Sequence, residues 1–394
     1  MRYIRTALCS TGVLLLARCS ANEPNTERAN VGTSPAPSVS DSAGVRILEY
    51  RSLRGDVPVV RIDRPFLELG GTRHGEDEEL DARQPWLSAT VLSDGTIVVN
   101  ETVRLKFFDK TGRFLRSVGR RGSGPGEFNQ TREVCRLSGD SLLVIDYSDG
   151  RLSVWDAVGQ HVRTFNRPGF VPFQGCLPNG TVLVRGLMPN VDPQASDAPF
   201  EYSLAFLDGR FIQSLGKLGT PKYAGPIFFE PSVVAYGSQV FVGDPERYEI
   251  RVLNLSGHLT RLIRVKDAPR LVTDEEWRRM IDATVPPNQP PSVNRAAVIA
   301  RLTARKPKAF PAFQRVRVDP KGRIWIGDYE NRRVWTILDS TGVFIGRLEV
   351  PSRSSWQNTE LVGIEADDEA EYIVVLGRDP NGAPILSFHR FGLP

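Results

Sequence analysis

A short turn motif occurs five times along the chain. It consists of an apolar residue, Asp or Asn, one or two further residues, Gly and then more apolar residues. The copies are Phe108–Gly112, Trp155–Gly159, the contracted Leu207–Gly209, Leu253–Gly257 and Leu338–Gly342. A motif repeated in this way indicates one supersecondary unit copied along or around an axis. The repeat therefore constrains the fold more than any other feature of the sequence.

The fullest copy of the repeat, residues 89–119, contains four short apolar runs separated by turn residues. The turns include Asp94-Gly95 and Thr111-Gly112, and such dipeptides join antiparallel strands because Gly accepts a positive φ without steric cost. A repeat of roughly 40–50 residues with four antiparallel strands is the blade of a β-propeller. A twisted β-sandwich or two small β-domains are the alternatives, and the regular spacing of the turns disfavours both.

A sixth and incomplete unit follows the last copy. Residues 362–388 hold only three apolar runs, and a closed propeller does not leave a blade edge unpaired. Val45–Leu48 or Val59–Ile62, or both, are expected to supply the missing strand from the N-terminal region. The sequence thus predicts an all-β fold, a six-bladed β-propeller of four-stranded antiparallel blades that N-terminal strands close into a ring.

Two segments resemble a known repeat. Gly119–Phe128 is similar to the glycine-rich entry of NHL repeats, and Gly327–Val334 is similar to their Asp…Asn-x-Arg core. Over residues 44–394 the chain resembles the bacterial secreted or lipoprotein 6-bladed β-propeller family, which is related to NHL and TolB-type propellers. The resemblance implies the fold and says little about function, because propellers serve as enzymes, ligand binders and adaptors alike.

The first 21 residues are typical of an export signal. Arg2 and Arg5 precede a short apolar stretch, and Leu16–Cys19 is similar to a lipobox, in which Arg18 is a departure. We expect a lipoprotein anchored through Cys19 in the periplasm or outer membrane, with a soluble secreted protein or a cytoplasmic chain as alternatives. Residues 22–43, rich in Ser, Pro, Asn and Ala, suit a disordered tether.

The net charge gives no basis for nucleic-acid binding. Arg2, Arg5 and Arg18 contribute three charges to the formal total of +4, so a chain that starts at Cys19 would be near +1. We expect a monomer that contacts the membrane only through a lipid anchor.

Two cysteines fall at similar places in consecutive repeats. Cys135 and Cys176 each lie near the end of a first strand. In an oxidising compartment they could form a disulfide, provided that their Cα atoms lie within about 7 Å. The alternative is two buried thiols that act as small apolar side chains.

One face of the predicted propeller collects the irregular features. Because successive strands alternate in direction, the links between second and third strands share a face with the links between blades. That face would carry the Gly119–Phe128 loop and the insertion 266–312. It would also carry polar residues at the ends of the second strands, which we predict to bind a ligand at the pore face: Asn100, Asp146, Arg185, Asp244, Asp328 and Arg378.

These polar residues have a structural alternative. Asp146 with Arg151, and Asp328 with Arg332, could instead fix local turns through hydrogen bonds. Arg185 and Arg378 interrupt the acidic residues, which disfavours a metal site.

The insertion between blades four and five contains the helical part of the sequence that follows the tether. Thr273–Glu276 is a capping box, and Trp277, Met280 and Ile281 follow on one helical stripe. A second helix is expected from Ser292, with Val298 and Leu302 as its packing edge. The insertion is either a lid or partner-binding hairpin, or a decoration packed on the blade edges.

No catalytic constellation is evident. The chain has four His, which do not form the three-ligand pattern of a catalytic zinc site. There is no Gly-x-Ser-x-Gly motif, and Gly122–Gly126 lacks the Lys-Ser/Thr of a phosphate loop. We therefore expect no catalytic residue, metal or cofactor.

We interpret the chain as a non-enzymatic scaffold that binds a protein or glycan partner at the cell envelope. The alternative is a metal-dependent hydrolase or lyase of gluconolactonase-like type that uses the propeller pore.

Overall fold

The computed structural model describes residues 34–55, 57–72, 78–81, 87–148, 150–166, 173–186, 200–285, 287, 294–351, 360–366 and 370–393. The expected export signal, Cys19 and most of the expected tether lie outside these residues. Within them, no helix combines the length and the apolar character needed to cross a membrane.

Six of the sheets in the described residues are arranged as propeller blades, each built on antiparallel strands. Blade 1 comprises, from first to fourth strand, Ser88–Val91, Ile97–Asn100, Leu105–Phe108 and Phe114–Val118. Blade 2 comprises Thr131–Arg136, Leu142–Asp146, Arg151–Trp155 and His161–Asn166, with a 3-10 turn at Ser138–Asp140. Blade 3 comprises Phe173–Cys176, Val182–Gly186, Glu201–Ala205 and Phe211–Lys217.

The second half of the chain forms the other three blades. Blade 4 comprises Ser232–Tyr236, Gln239–Asp244, Glu249–Asn254 and Leu259–Val265. Blade 5 comprises Arg315–Val318, Ile324–Gly327, Val334–Leu338 and Phe344–Glu349. Blade 6 takes three strands from the end of the chain, Glu360–Ala366, Glu371–Arg378 and Pro384–Gly392. The first strands of blades 6 and 1, 1 and 2, 3 and 4, and 4 and 5 contact each other, so the first strands surround the central axis.

The repeated Asp or Asn shapes the turn between the third and fourth strands. In blade 1, the Asp109 Oδ1 atom accepts hydrogen bonds from the backbone N–H groups of Thr111 (2.8 Å) and Arg113 (3.0 Å). Gly112 in the same turn has a φ of +88°. The same pair of bonds, to the second and fourth residues along, recurs at Asp156, Asn254 and Asp339. The repeat is therefore a set of side-chain-capped turns.

The N-terminal segment closes the ring as expected, but the strand that completes blade 6 lies in neither of the two segments that we expected to supply it. Val45–Tyr50, which contains the expected Val45–Leu48, pairs in parallel with the fourth strand of blade 4 and carries the hairpin partner Ser38–Ser42. It is held there because Leu48 and Tyr50 are fully buried in the core shared by blades 4 and 5. The Tyr50 hydroxyl also donates to the Gly342 carbonyl (2.8 Å).

The missing fourth strand of blade 6 is Leu67–Gly70, which pairs with Ile385–Phe388. From the expected segment Val59–Ile62, only the short strand Arg61–Ile62 pairs with blade 6, and Val59 forms a bridge to Arg347 of blade 5. The N-terminal segment therefore runs along the outer edges of blades 4, 5 and 6 in turn.

A single carboxylate ties the N-terminal strand to blade 6. Asp379, which follows the second strand, accepts hydrogen bonds from the backbone N–H (2.9 Å) and the hydroxyl (2.8 Å) of Thr72. Its other oxygen accepts from the N–H groups of Asn381 and Ala383, both at 2.9 Å. These bonds, those from Thr72 first, lower the pKa of Asp379 from 3.8 to about 2. The charged form therefore stabilises the closed ring.

The Asp379→Asn substitution should lower the free energy of unfolding at neutral pH and lose its effect in acid. A carboxyl whose pKa is lower in the folded state stabilises the fold fully above its unfolded pKa, and this stabilisation is lost as the pH falls through the folded pKa. The difference between wild type and variant in urea unfolding should therefore shrink between about pH 4 and about pH 2. As a control, Asp94→Asn changes a turn within one blade and should cost less at neutral pH. An equal difference at neutral and acidic pH would contradict this role of Asp379.

Two helices form the insertion between blades 4 and 5. The first is Asp274–Thr284, and its expected capping box is confirmed, since Thr273 and Glu276 each bond the other's backbone N–H. The second is Arg295–Ala304. It begins after the expected Ser292, which lies outside the described residues, because the Asn294 side chain caps it by accepting from Ala297 N–H (3.0 Å).

The insertion packs on a hairpin that we did not expect. Lys222–Ala224 and Ile227–Phe229 pair in the link between blades 3 and 4. Ile227 and Phe229 form one buried cluster with Trp277, Ile281 and Leu302 of the helices. We call this hairpin and the two helices the cap.

Blades 2 and 3 are joined covalently. Cys135 and Cys176, in the first strands of these blades, form a disulfide with Cα atoms 6.2 Å apart. This distance lies within the usual range for bridged cysteines.

Candidate functional site

The structure places the six polar residues that we expected to bind a ligand at or just after the ends of second strands. Two of them are buried between blades. Asn100 is 0% exposed and accepts a hydrogen bond from the Thr131 hydroxyl, which links blade 1 to blade 2. Asp146 is 1% exposed. Burial of this kind is typical of side chains that stabilise the fold.

Asp146 and Arg151 hold the glycine-rich loop. Asp146 accepts from the backbone N–H groups of Asn129 (2.7 Å) and Gln130 (3.0 Å). The Arg151 guanidinium lies 3.3 Å from Asp146 and donates to four carbonyls of the loop, those of Gly122, Ser123, Gly124 and Glu127. This Asp and Arg pair fixes the path of the chain from blade 1 to blade 2.

The two arginines of the set also make local contacts. The Arg185 guanidinium lies over the Phe200 ring (4.1 Å) and 3.7 Å from Glu230. Arg378 donates to the Gly382 carbonyl (2.8 Å). Neither arginine lines the cleft described below, so their role in ligand binding stays a prediction.

Asp244 and Asp328 lie close to a cleft between blades 4 and 5, with a volume of about 150 Å³. Asp328 lines it directly. Asp244 caps the neighbouring loop by accepting from Glu246 N–H (3.0 Å). The cleft lies where the insertion leaves the propeller, and its lining comes from five segments: Arg54, Glu246–Tyr248, Val265 with Asp267–Arg270, Phe310–Ala312, and Asp328–Glu330.

The two ends of the insertion form one wall of the cleft. Phe310 N–H donates to the Arg270 carbonyl (2.9 Å), which holds these residues side by side. The Arg270 guanidinium lies 4.2 Å from the centre of the Phe310 ring, pairs with Glu330 at 2.6 Å and contacts Glu276 of the first helix. Arg270 thus connects the cap, the cleft and blade 5.

Tyr248 and Asp267 also line the cleft. Tyr248 has a φ of +52°, which is a strained value for a bulky residue. Strained residues of this kind cluster at functional sites. Burial raises the pKa of its hydroxyl. The buried Oδ2 atom of Asp267 has no hydrogen-bond partner among the described residues, and its nearest cation is the Arg54 Nε atom at 3.8 Å.

The sequence pointed to Asp328 and to the insertion, but not to the residues that complete the cleft. Tyr248, Asp267 and Arg270 are spread over a blade link and the start of the insertion. The one signal in the sequence is that Arg247-Tyr248 and Tyr329 follow Asp244 and Asp328, two of the strand-end residues predicted to bind a ligand.

The described residues contain no group of three or more His, Cys, Asp or Glu side chains that could hold a metal ion. The residues that line the cleft combine paired charges with aromatic rings.

The architecture defines this protein as a six-bladed β-propeller with a cleft between two blades. Residues 88–177 match the DUF5128 family, which is described as a 6-bladed beta-propeller. None of the curated proteins matches the chain at a significant level.

One of three similar solved structures has a TM-score above 0.5 and supports the fold. A Bacteroides fragilis NCTC 9343 protein, whose name describes it as exported, has a TM-score of 0.51 at 13% identity, with 88% of this chain and 99% of that chain covered. A member of the DUF4221 family from Bacteroides vulgatus ATCC 8482 has a TM-score of 0.47 at 15% identity, covering 85% and 98%. A gluconolactonase from Xanthomonas campestris has a TM-score of 0.42 at 14% identity, covering 92% and 98%. Because their TM-scores are below 0.5, the last two carry no inference about this chain.

Proposed function

We propose that this propeller is an exported, monomeric and non-enzymatic scaffold that binds a protein or glycan partner at the cleft between blades 4 and 5. The observation that carries the proposal is the cleft itself. It combines aromatic rings with charged groups at the base of an insertion that interrupts the repeat. Concave sites with a few well-placed polar groups are the usual places for ligand binding.

Two further observations support export and envelope location. The Cys135–Cys176 disulfide is of a kind that persists in oxidising compartments. The Bacteroides fragilis neighbour is named as exported. Anchoring through Cys19 is part of the proposal, and a Cys19→Ala variant should then move from the membrane fraction to the soluble fraction.

Site-specific cross-linking in the native envelope tests the binding face. Tyr329, in the cleft, is replaced by p-benzoylphenylalanine, and the matched control carries the same group at Val158, which is 55% exposed in a turn between third and fourth strands. We expect a discrete cross-linked product from position 329 and none from position 158. Equal products from both positions would contradict a partner bound at the cleft.

The Arg270→Ala substitution should lower the yield of this cross-link at least fivefold. Arg270 pairs with Glu330 and covers Phe310, so its loss should loosen one wall of the cleft. Arg279→Ala is the matched control, because Arg279 lies on the first helix outside the cleft and is 70% exposed. Equal cross-linking by the two variants would mean that Arg270 does not contribute to the binding site.

The alternative, a metal-dependent hydrolase or lyase of gluconolactonase-like type, is supported by no contact among the described residues. Bound metal in the purified protein, together with lactone hydrolysis that a chelator abolishes, would favour it over the scaffold.

A further inference from the structure

The charges around the cleft nearly cancel. Its lining holds three arginines, Arg54, Arg247 and Arg270, and four carboxylates, Glu246, Asp267, Asp328 and Glu330. Lys222, just outside the lining, pairs with Glu246 at 2.6 Å. A ligand with a net charge of either sign would therefore meet repulsive groups as well as attractive ones.

Several of these charged groups are already occupied. Arg270 is paired with two carboxylates, and Glu246 with Lys222. Asp328 accepts from the N–H groups of Glu330 (2.9 Å) and Asn331 (2.8 Å). Their remaining capacity to form hydrogen bonds or ion pairs with a ligand is small.

Asp267, Arg54 and Arg247 retain that capacity. The Asp267 Oδ2 atom accepts no hydrogen bond from any described residue. The Arg54 Nε atom is 3.8 Å from Asp267, and the Arg247 Nε atom is 3.8 Å from Asp244, so both separations are too long for a hydrogen bond. The cleft thus offers a carboxylate acceptor and guanidinium donors. A hydroxyl group both donates and accepts, and adjacent hydroxyls could satisfy both kinds of group at once.

The remaining surface suits the apolar face of a sugar ring. Phe310 and Tyr329 lie together with ring centres 5.9 Å apart, and Tyr248 also lines the cleft. The volume of about 150 Å³ is smaller than a typical cofactor pocket of roughly 300–1,000 Å³. It is comparable to the size of one sugar ring.

From these contacts we infer that the cleft binds the neutral, polyhydroxylated end of a glycan, with Asp267 accepting hydrogen bonds from sugar hydroxyls. The inference rests on the proposed function and narrows its ligand from a protein or glycan to a neutral sugar.

The test uses the full-length protein on a printed array of neutral, sialylated, sulfated and amino-sugar glycans. The methyl glycoside of the best neutral terminal sugar is then measured by isothermal titration. We expect binding to glycans with neutral ends. We also expect a Kd that changes less than twofold between about 50 and about 300 mM salt, because an uncharged ligand is not subject to ionic screening.

The Asp267→Asn substitution should weaken this binding at least tenfold. It keeps the shape of the side chain, and since Asp267 Oδ2 has no hydrogen bond among the described residues, the thermal midpoint should not fall. Asp282→Asn is the matched control, because Asp282 lies on the first insertion helix outside the cleft and is 61% exposed. It should bind as the wild type does.

An array that retains no glycan, a preference for charged glycans, or equal binding by the Asp267→Asn and Asp282→Asn variants would each overturn the inference. If the protein binds no glycan on the array but the cross-link from position 329 persists, the cleft binds a protein and the proposed scaffold function stands. If both are absent, the proposed function fails as well.

Discussion

The Arg151→Ala substitution is expected to lower the free energy of unfolding by about 3–5 kcal/mol, the usual cost of breaking a buried ion pair. Arg151 is 7% exposed, and Asp146 beside it is 1% exposed. Without the guanidinium, Asp146 would keep a buried charge with no cation, and four loop carbonyls would lose their donor. Urea unfolding followed by tryptophan fluorescence measures the change.

Two further variants separate the ion pair from the loop contacts. Arg151→Lys keeps the charge but not the planar fork of donors, so it should recover only a minor part of the loss. Arg163→Ala changes an exposed arginine on the outer strand of the same blade and should stay within about 0.5 kcal/mol of wild type. A loss below about 1 kcal/mol for Arg151→Ala would mean that this network does not stabilise the propeller.

Reduction of the Cys135–Cys176 disulfide should lower the free energy of unfolding by about as much as the Arg151→Ala substitution does. The bridge joins residues 41 positions apart, and closing a loop of that length in the unfolded chain is worth about 4 kcal/mol in the chain-entropy treatment. The urea midpoint should therefore fall when a reductant is added. Cys135→Ala/Cys176→Ala should show the lower midpoint with or without the reductant.

Alkylation and mass spectrometry provide an independent readout of the bridge. In the unfolded, oxidised wild type, neither Cys135 nor Cys176 should take up the label, whereas both should do so after reduction. Identical midpoints before and after reduction, with both cysteines labelled throughout, would contradict the disulfide.

The blades could be predicted from the sequence because their determinants are local. The side chain of the Asp or Asn in a turn accepts hydrogen bonds from backbone N–H groups two and four residues away. The capped turn therefore lies within five consecutive residues, as at Asp109–Arg113. The capping box at Thr273 is local in the same sense, and it too was correctly expected.

The edge pairing and the cleft depend on distant residues. Val45–Leu48 and Leu67–Gly70 both have strand character. The first of them joins blade 4, where Leu48 and Tyr50 are buried against blades 4 and 5 and the Tyr50 hydroxyl donates to Gly342. The cleft is assembled from five segments between Arg54 and Glu330, and no pattern along the chain marks them as neighbours. The sequence therefore identified a face of the propeller but not the site on it.

The pairing of Leu67–Gly70 with Ile385–Phe388 also sets the order of assembly. These strands come from opposite ends of the chain, so blade 6 cannot be completed until nearly all of the polypeptide has been synthesised. Contacts between such distant residues form slowly because a long loop must close first. Until this loop has closed, the third strand of blade 6 presents an open edge to other chains. We therefore expect that loss of the last strand would leave two unpaired edges and a product prone to aggregation, however well the other blades fold.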